Sequence, residues 1–103
     1  MHTTKFSSKE PIEVVVVTFD FYNLLDNNVT ETIVTTVWAI SVTKGIDPTP
    51  NAMLSGTPTT SGSISSSKII GGISDNTYSI SCTATTSSSQ VFRLTGSIDV
   101  KIQ

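Results

Sequence analysis

The sequence predicts an all-β protein, an immunoglobulin-like sandwich of about seven antiparallel strands. Three observations lead to this fold class. Apolar and polar side chains alternate along long segments, as they do on a sheet with one buried face. Roughly a third of the 103 residues are Ser or Thr, whereas the helix formers Ala, Leu, Glu and Lys are scarce. Turn residues recur about every ten to fifteen positions, a spacing typical of two packed sheets.

The alternation is clearest in residues 77–102. Two alternating runs are joined there by three consecutive serines, Ser87, Ser88 and Ser89, which indicates an antiparallel hairpin. The opening tyrosine follows a polar turn, as does the tyrosine corner of immunoglobulin-like sandwiches. The predicted core positions of the two runs are Tyr78, Ile80, Cys82, Phe92, Leu94, Ile98 and Val100.

The first half of the chain contains two further strand patterns. Residues 1–10 are polar around Phe6 and predict an N-terminal arm or edge strand, so the sandwich is expected to span residues 11–103. Pro11 introduces a long apolar run, and a second run follows a polar loop. The predicted core positions of these two runs are Val15, Val17, Phe19, Trp38 and Ile40.

The middle of the chain gives a weaker pattern. Glycines and prolines cluster in residues 45–58, which predicts a loop with Met53 and Leu54 as a plug or a very short strand. Residues 63–70 predict a further strand, which ends at Gly71 and Gly72.

Groups that carry catalysis or bind cofactors are sparse. The single histidine is His2, the single cysteine is on an apolar face, and the carboxylates are scattered, so we expect no catalytic residue, no cofactor and no metal site. A small hydrolase that uses Asp20 and a second carboxylate is the weakest alternative.

The net charge of -2 and the few Lys and Arg residues argue against nucleic acid or an anionic membrane as a partner. With no signal sequence or long apolar span, the chain is expected to be made in the cytoplasm.

Surplus apolar residues predict a protein interface. If the core is filled as described, Val14, Val16, Ile33 and Val37 face outward. They form a single patch if their strands are neighbours, and large exposed apolar patches mark protein contacts. The alternative is that loops or the first ten residues cover them.

Several short motifs extend over most of the chain beyond residue 10. They are, in chain order, Phe19, Asp20 and Phe21 with Leu24 and Leu25, then Trp38, Ala39 and Ile40, then Gly45, Gly71, Gly72 and Tyr78, and last the serine-rich hairpin at 85–90. Together they resemble the small fiber-tail adaptor proteins of tailed bacteriophages. Where a glycine is expected in the last hairpin, this chain has Ser89.

The resemblance implies a virion protein, synthesised in the cytoplasm of the host bacterium. It also implies an immunoglobulin-like sandwich that contacts other virion proteins, such as tail, neck or fiber subunits, in multiple copies. No catalytic residue is carried over. A carbohydrate-binding or adhesin-like module, whose loops 47–58 and 85–90 contact the ligand, is the alternative from another functional class.

Overall fold

The computed structural model describes residues 3–25 and 31–102, which fold into two packed β-sheets. Within that part of the chain the helical segments are two short 3₁₀ turns, at Tyr22–Leu24 and Pro50–Met53. None of its helices has the length and apolar character needed to cross a bilayer. The strands are β1 (Thr3–Lys5), β2 (Val15–Asp20), β3 (Ile33–Lys44), β4 (Leu54–Ser61), β5 (Ile64–Ile69), β6 (Thr77–Thr86) and β7 (Val91–Asp99).

The strand order is that of an immunoglobulin sandwich. One sheet has the order β1-β7-β6-β3, and the other has the order β2-β5-β4. β3, β6 and β7 take the places of strands C, F and G, while β2, β5 and β4 take those of B, E and D. The predicted seven-stranded all-β sandwich is therefore confirmed, with one difference: β1 pairs with β7 in parallel.

Side chains from both sheets fill the space between them. Every second residue of β6 is buried, from Tyr78 to Thr86, as the alternation predicts. The ring of Phe19 lies 5.3 Å from that of Trp38 across the sandwich, and Phe6 contacts Phe19 edge-on at 5.6 Å. Three predicted core residues, Val15, Phe92 and Leu94, are only partly buried and pack against the edge of this core. The other predicted core residues are all buried: Val17, Phe19, Trp38, Ile40, Tyr78, Ile80, Cys82, Ile98 and Val100.

Trp38 joins the two sheets by a hydrogen bond as well as by packing. Its indole Nε1 donates to Ser65 Oγ on β5 at 3.1 Å, in a buried position. Cys82 lies beside the same serine, and burial raises the pKa of its thiol to about 11. This cysteine therefore behaves as a small core residue.

The N-terminal segment pairs within the chain. β1 extends along β7 with Lys5 opposite Ser97, and the segment continues until Lys9 bridges Val100. The Lys5 ammonium also contacts the Asp99 carboxylate at 3.0 Å. Phe6 is inserted beside the core, so this edge strand closes one side of the sandwich.

The predicted alternation of β3 fails at its first residue, Ile33. The expected outward orientation of Ile33 is wrong, because the side chain is buried and Val34 is exposed instead. The pairing of β3 with β6 shifts between Ile33 and Thr35, and such a bulge reverses the faces of the residues that precede it.

The last part of the predicted loop at 45–58 belongs to a strand, β4. It contains eight residues from Leu54 to Ser61, although Gly56 and Pro58 lie within it. Its pairing with β5 shifts between Ser55 and Thr59, so the two turn-forming residues are placed in a bulge rather than in a loop.

The geometry of the final hairpin shows why a glycine is expected at position 89. Ser89 has a φ of 62°, in the left-handed region that glycine favours. Its N–H donates to the Thr86 carbonyl at 2.9 Å, and the Thr86 hydroxyl accepts from the N–H of Gln90 at 3.2 Å. A three-residue loop of this kind requires a left-handed residue at its third position.

The first prediction concerns Trp38. We expect Trp38→Ala to lower the free energy of unfolding by about 3–5 kcal/mol, because it removes a large core side chain that spans both sheets. Chemical denaturation gives this value. As a control, the exposed neighbour Val37→Ala should change it by less than about 1 kcal/mol. A comparably small loss for Trp38→Ala would contradict the proposed core.

The second prediction concerns Ser89. We expect Ser89→Gly to raise the free energy of unfolding by about 0.5–1 kcal/mol, because glycine adopts a positive φ without the strain of a Cβ atom. The control is Ser88→Gly, at a position without a positive φ, which should give no gain. Equal effects of the two substitutions would show that the strain at Ser89 is negligible.

Candidate protein interface

The four predicted interface residues do not form one patch. Val16 is exposed on the outer face of the β2-β5-β4 sheet and Val14 is exposed just before β2, whereas Val37 is exposed on the outer face of the other sheet. Ile33 is in the core. The predicted single patch is therefore wrong, because β2 and β3 belong to different sheets.

A different group of exposed apolar residues lies at one end of the sandwich. Four segments meet there: residues 10–14, 45–53, 70–76 and 100–102, which we call the basal end. Each segment carries an exposed isoleucine, and the exposed fractions are 88% for Ile12, 83% for Ile46, 45% for Ile73 and 72% for Ile102. Single exposed apolar side chains are common, but four isoleucines at one end of a small protein are unusual.

Hydrogen bonds hold these segments together. The Lys9 ammonium donates to the carbonyls of Gly71 at 2.6 Å and Glu10 at 2.7 Å. The Lys101 N–H donates to the Lys9 carbonyl at 2.8 Å, and the Asp75 N–H donates to the Val100 carbonyl at 2.7 Å. The turn that carries Ile12, the segment that carries Ile73 and the segment that carries Ile102 are thus connected.

Lys9 is a buried charged residue at this junction. Burial lowers the pKa of its ammonium group, while the nearby Glu13 carboxylate acts in the opposite direction. The two carbonyl acceptors compensate for lost hydration, as buried charged groups require. Lys9 therefore acts as an internal clamp between the arm and the segment at 70–76.

The hydroxyl of Tyr78 organises the other side of the basal end. Tyr78 is fully buried at the start of β6, and its hydroxyl donates to Asp47 Oδ2 at 2.8 Å. It accepts the Ile73 N–H at 2.9 Å and the Asn76 side-chain amide at 3.3 Å. Burial raises the pKa of this hydroxyl, which keeps it protonated and able to donate. This is the arrangement of a tyrosine corner.

The same network fixes two of the exposed isoleucines. The Asn76 side-chain amide donates to the Ile46 carbonyl at 3.0 Å, and the Ile73 N–H is bonded to Tyr78 as described. The backbones of Ile46 and Ile73 are therefore held by hydrogen bonds to buried side chains, while their own side chains face solvent. Because the backbone of these two segments is already fixed, a partner that binds there orders little additional backbone.

A shallow depression of about 350 Å³ lies between these two segments. Pro48, Ala52, Met53 and Ile73 are among the residues that line it, together with Gly72. Gly72 has a φ of 96°, and a Cβ atom there would lie 2.8 Å from Val100 Cγ2. Glycine at this position therefore lets the chain pass close to the core and leaves the depression open.

A second depression lies on the outer face of the β2-β5-β4 sheet. Its volume is about 450 Å³, and Val16, Thr57 and Lys68 are among the residues that line it. The bulge in β4 forms one side of it. Since Val14 and Val16 follow Ile12 along the chain and are exposed, an apolar strip extends from the basal end onto this face.

Sequence patterns did not reveal the basal isoleucines. Ile46 and Ile73 each stand alone beside a turn-forming residue, Gly45 or Gly72, whereas Ile12 opens the apolar run after Pro11 and was not distinguished from it. Periodicity therefore gives no signal for them. A large apolar residue adjacent to a turn signal is the feature that could have identified them.

The described residues 3–25 and 31–102 do not assemble the expected sugar-binding loops into one site. Residues 85–90 form the hairpin at the far end of β6, whereas Asp47 lies at its start with Tyr78, so the two loops expected to contact a sugar lie at opposite ends. Trp38 is buried and offers no platform. Asp20 Oδ1 accepts from the Tyr22 N–H at 2.9 Å and the Ser63 hydroxyl at 3.1 Å, as a turn residue does.

The third prediction concerns the Tyr78 hydroxyl. We expect Tyr78→Phe to lower the free energy of unfolding by about 1–3 kcal/mol, because a buried N–H and a carboxylate lose their partner. Amide exchange at Ile73 should become faster. The control is Tyr22→Phe at an exposed ring, which should change stability by less than about 0.5 kcal/mol. Unchanged exchange at Ile73 would show that the hydroxyl does not hold this segment.

Comparison with known proteins places the chain in a family. A family model described as "Podophage GP4 fiber-tail adaptor protein gp77" matches residues 9–100. None of the curated proteins matches the chain. The matched region extends from the clamp residue Lys9 to Val100, and it includes β2 to β7 and the tyrosine corner. The chain therefore belongs to the podophage GP4 fiber-tail adaptor family.

Proposed function

We propose that this protein is a non-enzymatic adaptor that joins fiber to tail subunits in the phage particle and binds one of these partners through its basal end. The observation that carries the proposal is the set of four exposed isoleucines on segments anchored by Lys9 and Tyr78. Rigid apolar groups around a depression are features of protein interfaces.

The geometry favours contact with a protein over catalysis. The polar groups at the basal end, Lys9, Tyr78 and Asn76, are buried and engaged in holding loops. Within the described residues, no three His, Cys, Asp or Glu side chains lie close enough to hold a metal ion. A structural role in the virion accounts for these features without a reaction.

Multiple copies suit such a contact. A contact that is weak in one copy becomes strong overall when it is repeated around a symmetric particle. The exposed strip through Val14 and Val16 extends the contact onto the outer face of the β2-β5-β4 sheet. We therefore expect the partner to cover the basal end and part of that face.

The fourth prediction tests this interface. A phage that lacks the gene is complemented with Ile46→Lys or with Val16→Lys, and the fiber content of purified particles is measured. We expect fiber content to fall at least about tenfold, because a charge buried in an apolar contact costs more than about 1.4 kcal/mol. Thermal melting of the isolated variants should match that of the wild type, because both positions are exposed.

The matched control is Val91→Lys, an exposed valine on the opposite sheet and near the opposite end. Particles with this variant should carry a normal fiber content. If all three variants give complete particles, the basal end is not the interface. If the wild-type chain is absent from purified particles, the adaptor role itself is wrong.

A further inference from the structure

Residues 3–9 run along the edge of β7 and finish at the basal end, and we call this segment the strap. We infer that the strap opens as a unit while the sandwich stays folded, and that its docking fixes one wall of the depression at the basal end. The consequence for partner binding rests on the function proposed above, whereas the opening itself does not.

The strap is attached by a short row of backbone hydrogen bonds. β1 pairs with β7 in parallel, the Phe6 N–H donates to the Ser97 carbonyl at 2.8 Å, and the Lys9 N–H donates to the Asp99 carbonyl at 3.0 Å. Parallel pairs are slightly less stable per residue than antiparallel pairs. Because β1 is the outermost strand of its sheet, the strap can leave without breaking the pairing of β7 with β6.

The packing of the strap depends on one aromatic side chain. Phe6 is the single large apolar residue among residues 3–9, and its ring contacts Phe19 edge-on at 5.6 Å. A cleft of about 240 Å³ lies between the strap and β2, and Ser7, Val15 and Ile98 are among the residues that line it. The strap therefore rests on β7 and Phe19 and packs incompletely against β2.

Lys9 connects the strap to the wall of the basal depression. Its ammonium group donates to the Gly71 carbonyl at 2.6 Å, and both Gly71 and Gly72 line the depression. The two glycines have φ angles of 61° and 96°. Glycine loses more backbone freedom on ordering than any other residue, so this pair depends on bonds that hold it in place.

The neighbours of the two glycines are held independently of the strap. The Ile70 N–H donates to the Met53 carbonyl at 2.8 Å, and the Ile73 N–H donates to the Tyr78 hydroxyl at 2.9 Å. When Lys9 leaves, both ends of this short stretch stay bonded, and the glycines between them gain freedom. Opening of the strap therefore changes one wall of the depression and leaves the rest of the basal end in place.

The buried ammonium group of Lys9 makes opening less costly. In the docked strap the side chain is fully buried, and two carbonyl groups replace its water shell. The ammonium group regains its hydration when it returns to water, which offsets part of the hydrogen bonding lost on opening. We therefore expect the strap to open at a free energy well below that of global unfolding.

Docking of the strap and binding at the basal end are then linked. A partner that fits the depression binds the docked form more tightly, because glycines that are already ordered need no further ordering. By reciprocity, the same partner stabilises the docked strap by an equal factor. Lys9 is in this sense a positioning residue for the basal end.

Amide hydrogen exchange of the isolated full chain, measured by NMR, tests the opening. The N–H groups of Phe6, Lys9 and Lys101 are bonded across the boundary between strap and sandwich, so we expect them to share one protection factor. It should be at least about tenfold below that of Cys82 in the central strand β6. It should also respond weakly to urea, because opening exposes little surface, whereas Cys82 responds strongly.

Phe6→Ala should lower the protection of the strap at least about tenfold, because the aromatic contact is lost. The matched control is Val91→Ala, an exposed valine on the strand that holds the strap, which should leave this protection unchanged.

A second pair of variants tests the control of the depression. Lys9→Met retains an unbranched side chain but lacks the ammonium group, so the bond to Gly71 is lost while the backbone bonds of the strap remain. We expect the NMR order parameters of Gly71 and Gly72 to fall from about 0.85 towards about 0.6. Lys5→Met is the matched control, because Lys5 contacts Asp99 at the surface, and it should leave both order parameters unchanged.

The complementation assay connects the strap to the interface. Particles with Lys9→Met should carry about fivefold less fiber, the factor that corresponds to one net hydrogen bond, although all four isoleucines are intact. Particles with Lys5→Met should carry a normal amount.

Four outcomes would contradict parts of this inference. Equal protection and equal urea response of the strap and Cys82 mean that the strap opens only with the whole sandwich. Phe6 far less protected than Lys9 means fraying from the end instead of opening as a unit. Unchanged order parameters in Lys9→Met mean that the strap does not fix the depression. Fiber loss with Ile46→Lys but not with Lys9→Met removes the strap from the interface and leaves the interface standing, whereas complete particles with Ile46→Lys contradict the interface itself.

Discussion

The buried hydroxyl of Tyr78 is the constraint on which the basal end depends. A phenol in the core must find hydrogen-bond partners, and here it finds them in Asp47, Asn76 and the backbone of Ile73. These partners belong to the connections on either side of β4 and β5, so a single side chain fixes both connections relative to β6. The polar atoms of these segments are bonded inside the protein, and the side chains of Ile46 and Ile73 face solvent.

The inner and outer faces of the two sheets require different side chains. Between them, Trp38 and Phe19 need space, and the small residue Ser65, which is opposite Phe19 and accepts the Trp38 hydrogen bond, provides it. On the outer faces, Ser and Thr keep the sheets solvated without large side chains. The low charge of the protein follows from this design, and Lys44 at the end of β3 is the single charged residue of that strand.

Much of the fold could be predicted from alternation, and the exceptions have physical causes. β6 and β7 show period-two patterns, so the inward-facing residues are predictable from spacing alone, although Phe92 and Leu94 of β7 are only partly buried. β4 was missed because Gly56 and Pro58 are turn residues in most contexts, and only the pairing with β5 shows that they lie in a bulge. Ile33 was assigned to the wrong face because the bulge next to it is invisible in the sequence.

The candidate site was harder to predict than the fold. Alternation identifies which residues share a face of one strand, but the position of β2 and β3 in different sheets depends on tertiary pairing. Val14, Val16 and Val37 were correctly expected to be exposed, yet they lie on two different surfaces. The basal isoleucines lie at one end of the sandwich only because four segments that are separate in the sequence converge there.

The buried ammonium of Lys9 has a consequence for the chemical reactivity of the protein. Amine-reactive reagents need an accessible, deprotonated nitrogen, and Lys9 is enclosed by two carbonyl groups, whereas Lys5, Lys44, Lys68 and Lys101 are exposed. Acylation will therefore spare Lys9 as long as the N-terminal segment stays in place. The labelling pattern of the lysines thus reports directly whether that segment has detached from the sandwich.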